Sequence, residues 1–293
     1  MEDSAKISAR MEINMGKTVF MFPGQGAQYI GMAKDFYDAI PECREVFEEA
    51  SEASGLDIAA LCFEENDKIN ITEYTQICML TAEAAILRAL EVKGYKADVT
   101  AGLSLGEYGA LAAAGVMELP DLFRIIRMRG IYMQEAYPEG GTMAAVLGLD
   151  GDIVAKICEQ TAKETGKVVS VANYNCPGQI VISGRKAAVE EACEKLKAAG
   201  AKRAIMLNVS GPFHSGMLVG AGEKLGKVLE NVEIHKPVIP YAANVTAQYV
   251  TEAQPVKDFL VKQVSSSVKW QQCVETMLAD GVDTFIEIGP GKT

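Results

Sequence analysis

The feature that most constrains the fold is an alternation of short apolar strands with amphipathic helices along the 293 residues. The first strand pattern, at 18–22, ends at a Pro-Gly-Gln-Gly turn. A second strand pattern, at 97–102, runs into a glycine-rich turn and an alanine-rich helix. Strands that alternate with helices predict an α/β fold with a mostly parallel sheet covered on both faces. Other predicted elements are helices near 31–53, 72–94 and 119–136 and strands at 238–243 and 283–288.

The stretch 142–208 follows a different pattern, in which a strand, a helix, two strands, a second helix and a last strand follow one another. The first strand of the adjacent pair is predicted at 168–173, and the turn between the two strands at Cys176-Pro177-Gly178. This βαββαβ order is that of the split βαβ unit, so we expect a small domain inserted into a larger one. The large α/β domain is then discontinuous and consists of 17–141 and 209–293. Residues 1–16 are predicted to be a flexible N-terminal extension, because the first strand pattern begins at Lys17.

Composition disfavours several functional classes. A formal net charge of −11 makes the chain a poor candidate for nucleic-acid binding. The sequence lacks a run of about 18 apolar residues and an apolar N-terminal signal segment, so neither a membrane span nor a signal peptide is expected. Seven cysteines without a CxxC pair indicate reduced thiols and a cytoplasmic protein. With only two histidines, His214 and His235, zinc sites built from several imidazoles are disfavoured, and no metal is expected.

The turn at 102–106 reads Gly102-Leu103-Ser104-Leu105-Gly106, a G-x-S-x-G pattern between a predicted strand and a predicted helix. In this context the glycines permit a sharp turn that exposes Ser104 at a helix N-terminus, as in a nucleophile elbow. The main-chain N–H of Leu105 would then point at a developing oxyanion. The alternative is a strand-to-helix turn whose serine only caps the helix.

A serine needs a base to become nucleophilic at neutral pH. His214 lies in a Gly-Pro loop between the insert and the next helix, and such loops often carry function. His235 lies in a charged connector before a strand. We therefore predict His214 as the base, although no acidic partner for it stands out in the sequence.

Six short motifs are spread from about residue 18 to the end of the chain. In order they are Phe22-Pro23-Gly24-Gln25-Gly26-Ala27-Gln28, Ser104-Leu105-Gly106-Glu107-Tyr108, Met128-Arg129-Gly130 followed by Met133-Gln134, Gly211-Pro212-Phe213-His214, Asn244-Val245-Thr246 and Glu287-Ile288-Gly289-Pro290-Gly291. Together they resemble the signatures of the malonyl-CoA:acyl carrier protein transacylases of bacterial fatty-acid synthesis. The resemblance implies an α/β-hydrolase-like core with a ferredoxin-like insert. It also implies transfer of malonyl from malonyl-CoA to the phosphopantetheine thiol of acyl carrier protein, through a malonyl-serine intermediate and without a bound cofactor.

The resemblance assigns roles to individual residues. Ser104 resembles the nucleophile and His214 its base. The main-chain N–H groups of Gln25 and Leu105 resemble the oxyanion hole. Arg129 resembles the clamp for the malonyl carboxylate, a choice that spacing alone cannot make among the three arginines of its helix.

Three further residues complete the predicted site. Gln263 resembles the residue whose carbonyl oxygen orients the histidine in place of an acid. Phe213 and Asn175 are assigned to the substrate pocket, and a phenylalanine before the catalytic histidine accompanies malonyl preference in the family. Leu103 departs from the pattern, because the family usually has histidine there; activity is expected to survive with altered pocket polarity. The chain also ends at Thr293, where members usually continue into a final helix, so a trimmed C-terminus is expected.

The sequence allows two interpretations of one basic surface and several rival functions. A basic set on the insert is either a solvated face or a docking area for acidic acyl carrier protein; its members are Arg185, Lys186, Lys195, Lys197, Lys202 and Arg203. A monomer is expected. The alternatives are a stand-alone acyltransferase of polyketide synthesis, a thioesterase or esterase that shares the elbow and the base, and a carrier-binding scaffold with a dead site.

Overall fold

The computed structural model describes residues 16–136, 140–209 and 211–291, so the predicted extension 1–16 lies outside them except for its last residue. The strands in these ranges are β1 (Lys17–Phe22), β2 (Val99–Gly102), β3 (Gly141–Leu147), β4 (Val169–Cys176), β5 (Gln179–Arg185), β6 (Arg203–Met206), β7 (Tyr241–Ala242), β8 (Tyr249–Val250) and β9 (Val282–Glu287). The helices are α1 (Lys34–Ala39), α2 (Pro41–Ser54), α3 (Ile58–Phe63), α4 (Thr72–Val92), α5 (Gly106–Ala113), α6 (Leu119–Glu135), α7 (Gly151–Thr165), α8 (Lys186–Ala198), α9 (Val219–Leu229), α10 (Val256–Ser265) and α11 (Trp270–Ala279).

The first sheet has the order β8-β7-β2-β1-β9. β1 pairs in parallel with β2 and β9, and β2 pairs in parallel with β7. The edge strand β8 is antiparallel to β7 because a short turn joins the two. The predicted α/β fold with a mostly parallel sheet is therefore confirmed.

The second sheet contains the strands between Gly141 and Met206, in the order β4-β5-β3-β6, and all its pairs are antiparallel. α7 and α8 cover one face and share a separate apolar core with it. The two sheets meet where the main chain of Val268, just before α11, bonds to Ala172 and Tyr174 on β4. This contact brings the hairpin β4–β5 alongside α11.

Three predicted elements were wrong in extent. The helix near 31–53 is two helices, because Pro41 disfavours a helical conformation at Ile40 and starts α2 instead. The strand at 238–243 shrinks to Tyr241–Ala242, since Pro240 cannot donate a sheet hydrogen bond. The strand at 168–173 continues to Cys176, so Cys176 ends a strand and the turn begins at Pro177. The short helix α3 was not predicted.

Helix α4 passes through the main core, and most of its side chains are buried. Glu83, near its middle, is 0% exposed, and neither carboxyl oxygen has a hydrogen-bond partner among the described residues. An unpaired charge there would cost much more than a neutral acid. Burial therefore raises the pKa of Glu83 well above its ordinary value.

We predict that Glu83→Met raises the free energy of unfolding, because an apolar side chain of similar length replaces an unpartnered buried acid. The gain should grow with pH. The unfolded chain releases the Glu83 proton above the ordinary pKa of 4.5, whereas the folded protein retains it. The parent therefore loses about 1.4 kcal/mol of stability per pH unit until the folded pKa is reached.

Urea unfolding of the parent and the variant at about pH 5 and about pH 8 measures the free energy of unfolding and its change with pH. Glu91→Met, at an exposed position of the same helix, is the matched control and should show no such gain with pH. Equal changes at both pH values for Glu83→Met, or a loss of stability at both, would contradict the assignment of a neutral buried acid.

Candidate active site

The carboxyl ends of β1 and β2 place two loops side by side. The strands are parallel neighbours in which Phe22 pairs with Gly102, so both loops leave the same edge of the sheet, where ligands bind in open α/β folds. The loop after β1 presses on the one after β2: a Cβ added to Gly24 would lie 2.6 Å from Leu103 Cδ2. The sequence thus brings its first motif against its G-x-S-x-G motif.

Ser104 lies at the tip of a tight strand-to-helix turn, with a left-handed backbone φ of 55°. Such a conformation costs about 1–3 kcal/mol for a residue other than glycine and is found mainly at functional sites. The turn closes because Gly102 and Gly106 lack side chains. A Cβ at Gly102 would lie 1.9 Å from Gly106 O, and one at Gly106 would lie 2.2 Å from Phe22 O.

The buried Asn244, just after β7, braces this turn from the side. Its Oδ1 accepts a hydrogen bond of 2.7 Å from the main-chain N–H of Ser104, and its Nδ2 donates one of 2.7 Å to the carbonyl of Gly102. Sequence reasoning noted this asparagine within a motif but gave it no role. The two hydrogen bonds hold the strained turn in place.

His214 connects Ser104 to the main chain of Gln263. Ser104 Oγ is 2.7 Å from His214 Nε2, and His214 Nδ1 is 2.8 Å from the carbonyl oxygen of Gln263. A carbonyl oxygen can only accept, so Nδ1 must donate the proton, and Nε2 is left to accept from the serine hydroxyl. His214 itself has a left-handed φ of 57°. The arrangement is a serine–histidine pair oriented by a main-chain carbonyl.

The environment of His214 keeps its imidazole neutral. The residue is 5% exposed. Burial first, and then the nearby positive charge of Arg129, lower its pKa to about 4. A neutral imidazole with a free Nε2 lone pair can remove the serine proton at neutral pH.

Arg129 is a buried cation beside Ser104. It is 1% exposed, and the ion pairs found among the described residues do not include it. Its Nη1 donates to Gln76 Oε1 at 2.7 Å, and its Nη2 donates to Ser104 Oγ at 3.1 Å and to Gln263 Oε1 at 2.9 Å. Nε is buried without a partner in the described ranges, and burial lowers the pKa of the guanidinium. An anion bound here would supply the missing counter-charge.

The structure separates the three arginines that spacing could not distinguish. Arg124 is exposed and pairs with Asp121 at 2.5 Å. Arg127 pairs with Glu73 at 3.0 Å. Only Arg129, of these three, lies on the buried face of α6 and lines the cavity over Ser104.

That cavity has a volume of about 910 Å³. The predicted site residues that line it are Gln25, Ser104, Leu105, Arg129, Asn175, Phe213 and His214. Leu103 also lines it, so an apolar side chain stands at that part of the wall. One face of α11, from Trp270 to Leu278, forms the opposite wall with the β4–β5 hairpin. Such a volume is typical of a pocket for a small organic ligand.

The two histidines lie in different places, and His214 is the one that lines the cavity. His235 is 3.7 Å from Glu118 at the surface and does not line the cavity. Gln76 and Glu107, both buried, are parts of the site whose roles sequence reasoning missed, since no spacing signal distinguishes them from core positions.

In the ranges that the structure describes, no group of His, Cys, Asp or Glu side chains could hold a metal ion. None of the helices described there is long and apolar enough to cross a membrane.

Comparison with known proteins gives a consistent picture. Residues 19–292 match the family model described as acyl transferase domain. The chain is 44% identical over 280 residues to a malonyl CoA-acyl carrier protein transacylase of Bacillus subtilis, covering 95% of this chain and 88% of that protein. It is 45% identical over 281 residues to the Escherichia coli K12 protein of the same name, covering 95% and 90%.

Solved structures agree as well. The fold is similar to that of an acyl carrier protein S-malonyltransferase from Vibrio cholerae, with a TM-score of 0.91, 42% identity and coverage of 94% of this chain and 90% of that one. It is also similar to a malonyl-transacylase solved in complex with a type II PKS acyl-carrier protein, with a TM-score of 0.89, 42% identity and coverage of 94% and 89%.

We predict that His214→Ala slows the labelling of Ser104 by a fluorophosphonate reagent about 100-fold or more, because the hydroxyl loses its base. His235→Ala is the matched control and should label within a few-fold of the parent. Labelling rates followed by intact-protein mass spectrometry measure both. Equal slowing by the two substitutions would refute His214 as the base.

Proposed function

The chain belongs to the acyl transferase domain family, and from this membership and the site geometry we propose that it transfers malonyl from malonyl-CoA to the phosphopantetheine thiol of acyl carrier protein, supplying fatty-acid synthesis. The transfer runs through a malonyl-Ser104 intermediate. Coenzyme A thioester is a substrate, and no resident cofactor takes part.

The observation that carries the proposal is the buried guanidinium of Arg129, 3.1 Å from the nucleophilic oxygen. A malonyl thioester differs from an acetyl thioester by a carboxylate that must lose its water on entering the pocket. A guanidinium can replace that hydration with charge-assisted hydrogen bonds, which a lysine matches less well. A buried cation without a carboxylate partner therefore favours an acyl group that brings its own negative charge.

In the first half-reaction, Ser104 Oγ attacks the thioester carbonyl as its proton passes to His214 Nε2. The main-chain N–H groups of Gln25 and Leu105 stabilise the resulting oxyanion, and losing one such donor commonly costs about 3–4 kcal/mol. The intermediate collapses when the C–S bond breaks. His214 returns the proton to the coenzyme A thiolate, and malonyl remains esterified to Ser104.

The second half-reaction runs in the reverse direction with the carrier thiol as the nucleophile. His214 accepts the thiol proton, the sulfur attacks the ester carbonyl, and the proton then passes to Ser104 Oγ. Phe213 and Asn175, which line the cavity, are proposed to bound the substrate pocket. The cavity of about 910 Å³ is larger than a malonyl group needs, and we propose that the remaining space admits the pantetheine arm.

We propose the finer features of the fold on the same basis. An α/β-hydrolase-like core is supported by the parallel strands and by the serine turn between β2 and α5. A ferredoxin-like inserted domain at 142–208 is supported by the βαββαβ order and the separate apolar core. The domain boundaries at 141/142 and 208/209 stay predictions.

Carrier docking is proposed on the basic residues of the insert. Three of them already hold acidic partners on α8, because Lys186, Lys195 and Lys197 pair with its glutamates. Lys202 and Arg203 are exposed where β6 begins, the continuation of β6 through Leu207 lines the cavity, and neither residue is in an ion pair found among the described residues. A monomeric protein in the cytoplasm is proposed, and free cysteines, six of them buried, are consistent with a reducing compartment.

The second candidate within the class is transfer to a polyketide carrier, which the similarity to the complex with a type II PKS acyl-carrier protein favours.

Radiolabelled malonyl-CoA, given with and without acyl carrier protein, tests the reaction itself. We expect label on the protein that then moves to the carrier, and no label on Ser104→Ala. Release of free malonate without transfer would instead indicate a hydrolase, and a malonyl adduct on Ser104→Ala would exclude Ser104 as the nucleophile.

We predict that Arg129→Ala lowers kcat/KM for malonyl-CoA strongly while acetyl transfer holds or rises, because only malonyl needs the guanidinium. Methylmalonyl-CoA keeps the carboxylate and adds one methyl group, worth about 1–3 kcal/mol against Phe213, so the parent should discriminate against it moderately. Arg127→Ala, on the same helix but outside the cavity, is the control and should leave the selectivity unchanged. A proportional fall of malonyl and acetyl activities in Arg129→Ala would make Arg129 structural.

A further inference from the structure

A second buried acid, Glu107, lies directly beneath the nucleophile turn and takes no part in the proton transfers described above. It is one turn after Ser104 on α5 and 1% exposed. Its Oε2 accepts hydrogen bonds from Gln263 Nε2 at 2.6 Å and from the main-chain N–H of Asn244 at 3.3 Å. Its Oε1 is buried and has no partner among the described residues. The carboxyl group is thus committed to the side chain of Gln263.

The amide of Gln263 links Glu107 to Arg129. Its Nε2 also donates to the carbonyl of Ser104 at 2.9 Å, and its Oε1 accepts from Arg129 Nη2 at 2.9 Å. Turning the amide by half a rotation would place its N–H groups against the guanidinium and its oxygen against two acceptors. The orientation therefore depends on an acceptor at Glu107 as well as on the donor at Arg129.

We propose that Glu107 is a positioning residue for malonyl selectivity, because its ionised carboxylate fixes the Gln263 amide so that Oε1 holds Arg129 Nη2 beside Ser104 Oγ. The inference rests on the proposed malonyl transfer. Arg129 is held by two amides, Gln76 and Gln263, and Gln263 is the one whose orientation is set from outside the cavity. Glu107 acts through Gln263 and does not touch the substrate.

The surroundings of Glu107 make the orientation of the Gln263 amide sensitive to pH. Burial raises the pKa of Glu107 to about 7, against the opposing effects of its hydrogen bonds to Gln263 and Asn244 and the charge of Arg129. The titratable groups that face it are Tyr108, Arg129, Tyr241 and Cys273. The neutral Glu83 on α4 lies beside Gly109, which is on α5 with Glu107. Once protonated, the Glu107 carboxyl can donate a hydrogen bond itself, so it no longer requires an N–H from Gln263.

The test is the ratio of kcat/KM for malonyl-CoA to that for acetyl-CoA in acyl-enzyme formation, measured from about pH 6 to about pH 8.5. Taking the ratio cancels the titration of His214, which serves both substrates. We expect the ratio of the parent to fall as pH drops through about 7, where Glu107 is protonated. Glu107→Gln, which keeps the shape but loses the charge, should have a ratio lowered roughly tenfold and independent of pH, as expected when a charge-assisted hydrogen bond is lost.

A double-mutant cycle separates positioning from a structural role. If Glu107 acts through Arg129, Glu107→Gln should lower the ratio no further in the Arg129→Ala background. Glu107→Asp, which restores an ionisable group, should restore part of the pH dependence. Thermal unfolding reports whether each variant folds. If Glu107→Gln does not fold, the pH profile of the parent tests the proposal on its own.

Three outcomes would overturn the proposal: a pH-independent ratio in the parent, a proportional loss of both activities in folded Glu107→Gln, or an additive loss in the double variant. These results are distinct from a failure of malonyl transfer by the parent, which would contradict the proposed function instead.

Discussion

The site depends on one electrostatic arrangement, a guanidinium held almost fully out of water next to Ser104 Oγ. Burying an unpaired cation is costly, and effective penalties of several kcal/mol are typical. The protein limits this cost with neutral groups: the amide oxygens of Gln76 and Gln263 and the ring of Tyr108, whose centroid is 5.5 Å from Arg129 Cζ. Amides satisfy N–H donors without neutralising the charge, so the attraction remains available for a substrate anion. Burial, and then the same charge, lower the pKa of His214 and keep its imidazole neutral.

Strain and close packing make this arrangement rigid. Ser104 and His214 both have left-handed backbones, which cost energy and are maintained by their neighbours. Asn244 supports the serine turn through two hydrogen bonds, and Gln263 supports the histidine with its main chain and the arginine with its side chain. Gln263 is thus hydrogen-bonded to His214, Arg129 and Glu107. Charge development during acyl transfer then meets groups that need little reorganisation.

Much of this could be predicted from the sequence, and what could not has physical reasons. The strand–turn–helix context of Ser104 and the loop of His214 are local signals, so the sequence alone predicts both residues in one site. Arg129 could not be chosen from spacing alone, because Arg127 also lies at helical spacing from the buried Phe123 and Gly130. The bonds of Gln263 to Glu107 and of Asn244 to the serine turn span 156 and 140 positions along the chain. Such pairings depend on tertiary packing, and the local periodicity of the sequence does not predict them.

The most direct test of the central claim is a crystal structure of the acyl-enzyme formed with malonyl-CoA in the absence of carrier protein. We predict malonyl on Ser104 Oγ, with its carboxylate in hydrogen-bond contact with the Arg129 guanidinium. The ester carbonyl should face the main-chain N–H groups of Gln25 and Leu105, and the Gln263 amide should still bridge Glu107 and Arg129. A malonyl carboxylate that points to solvent, with Arg129 unchanged and without an anion, would contradict the account.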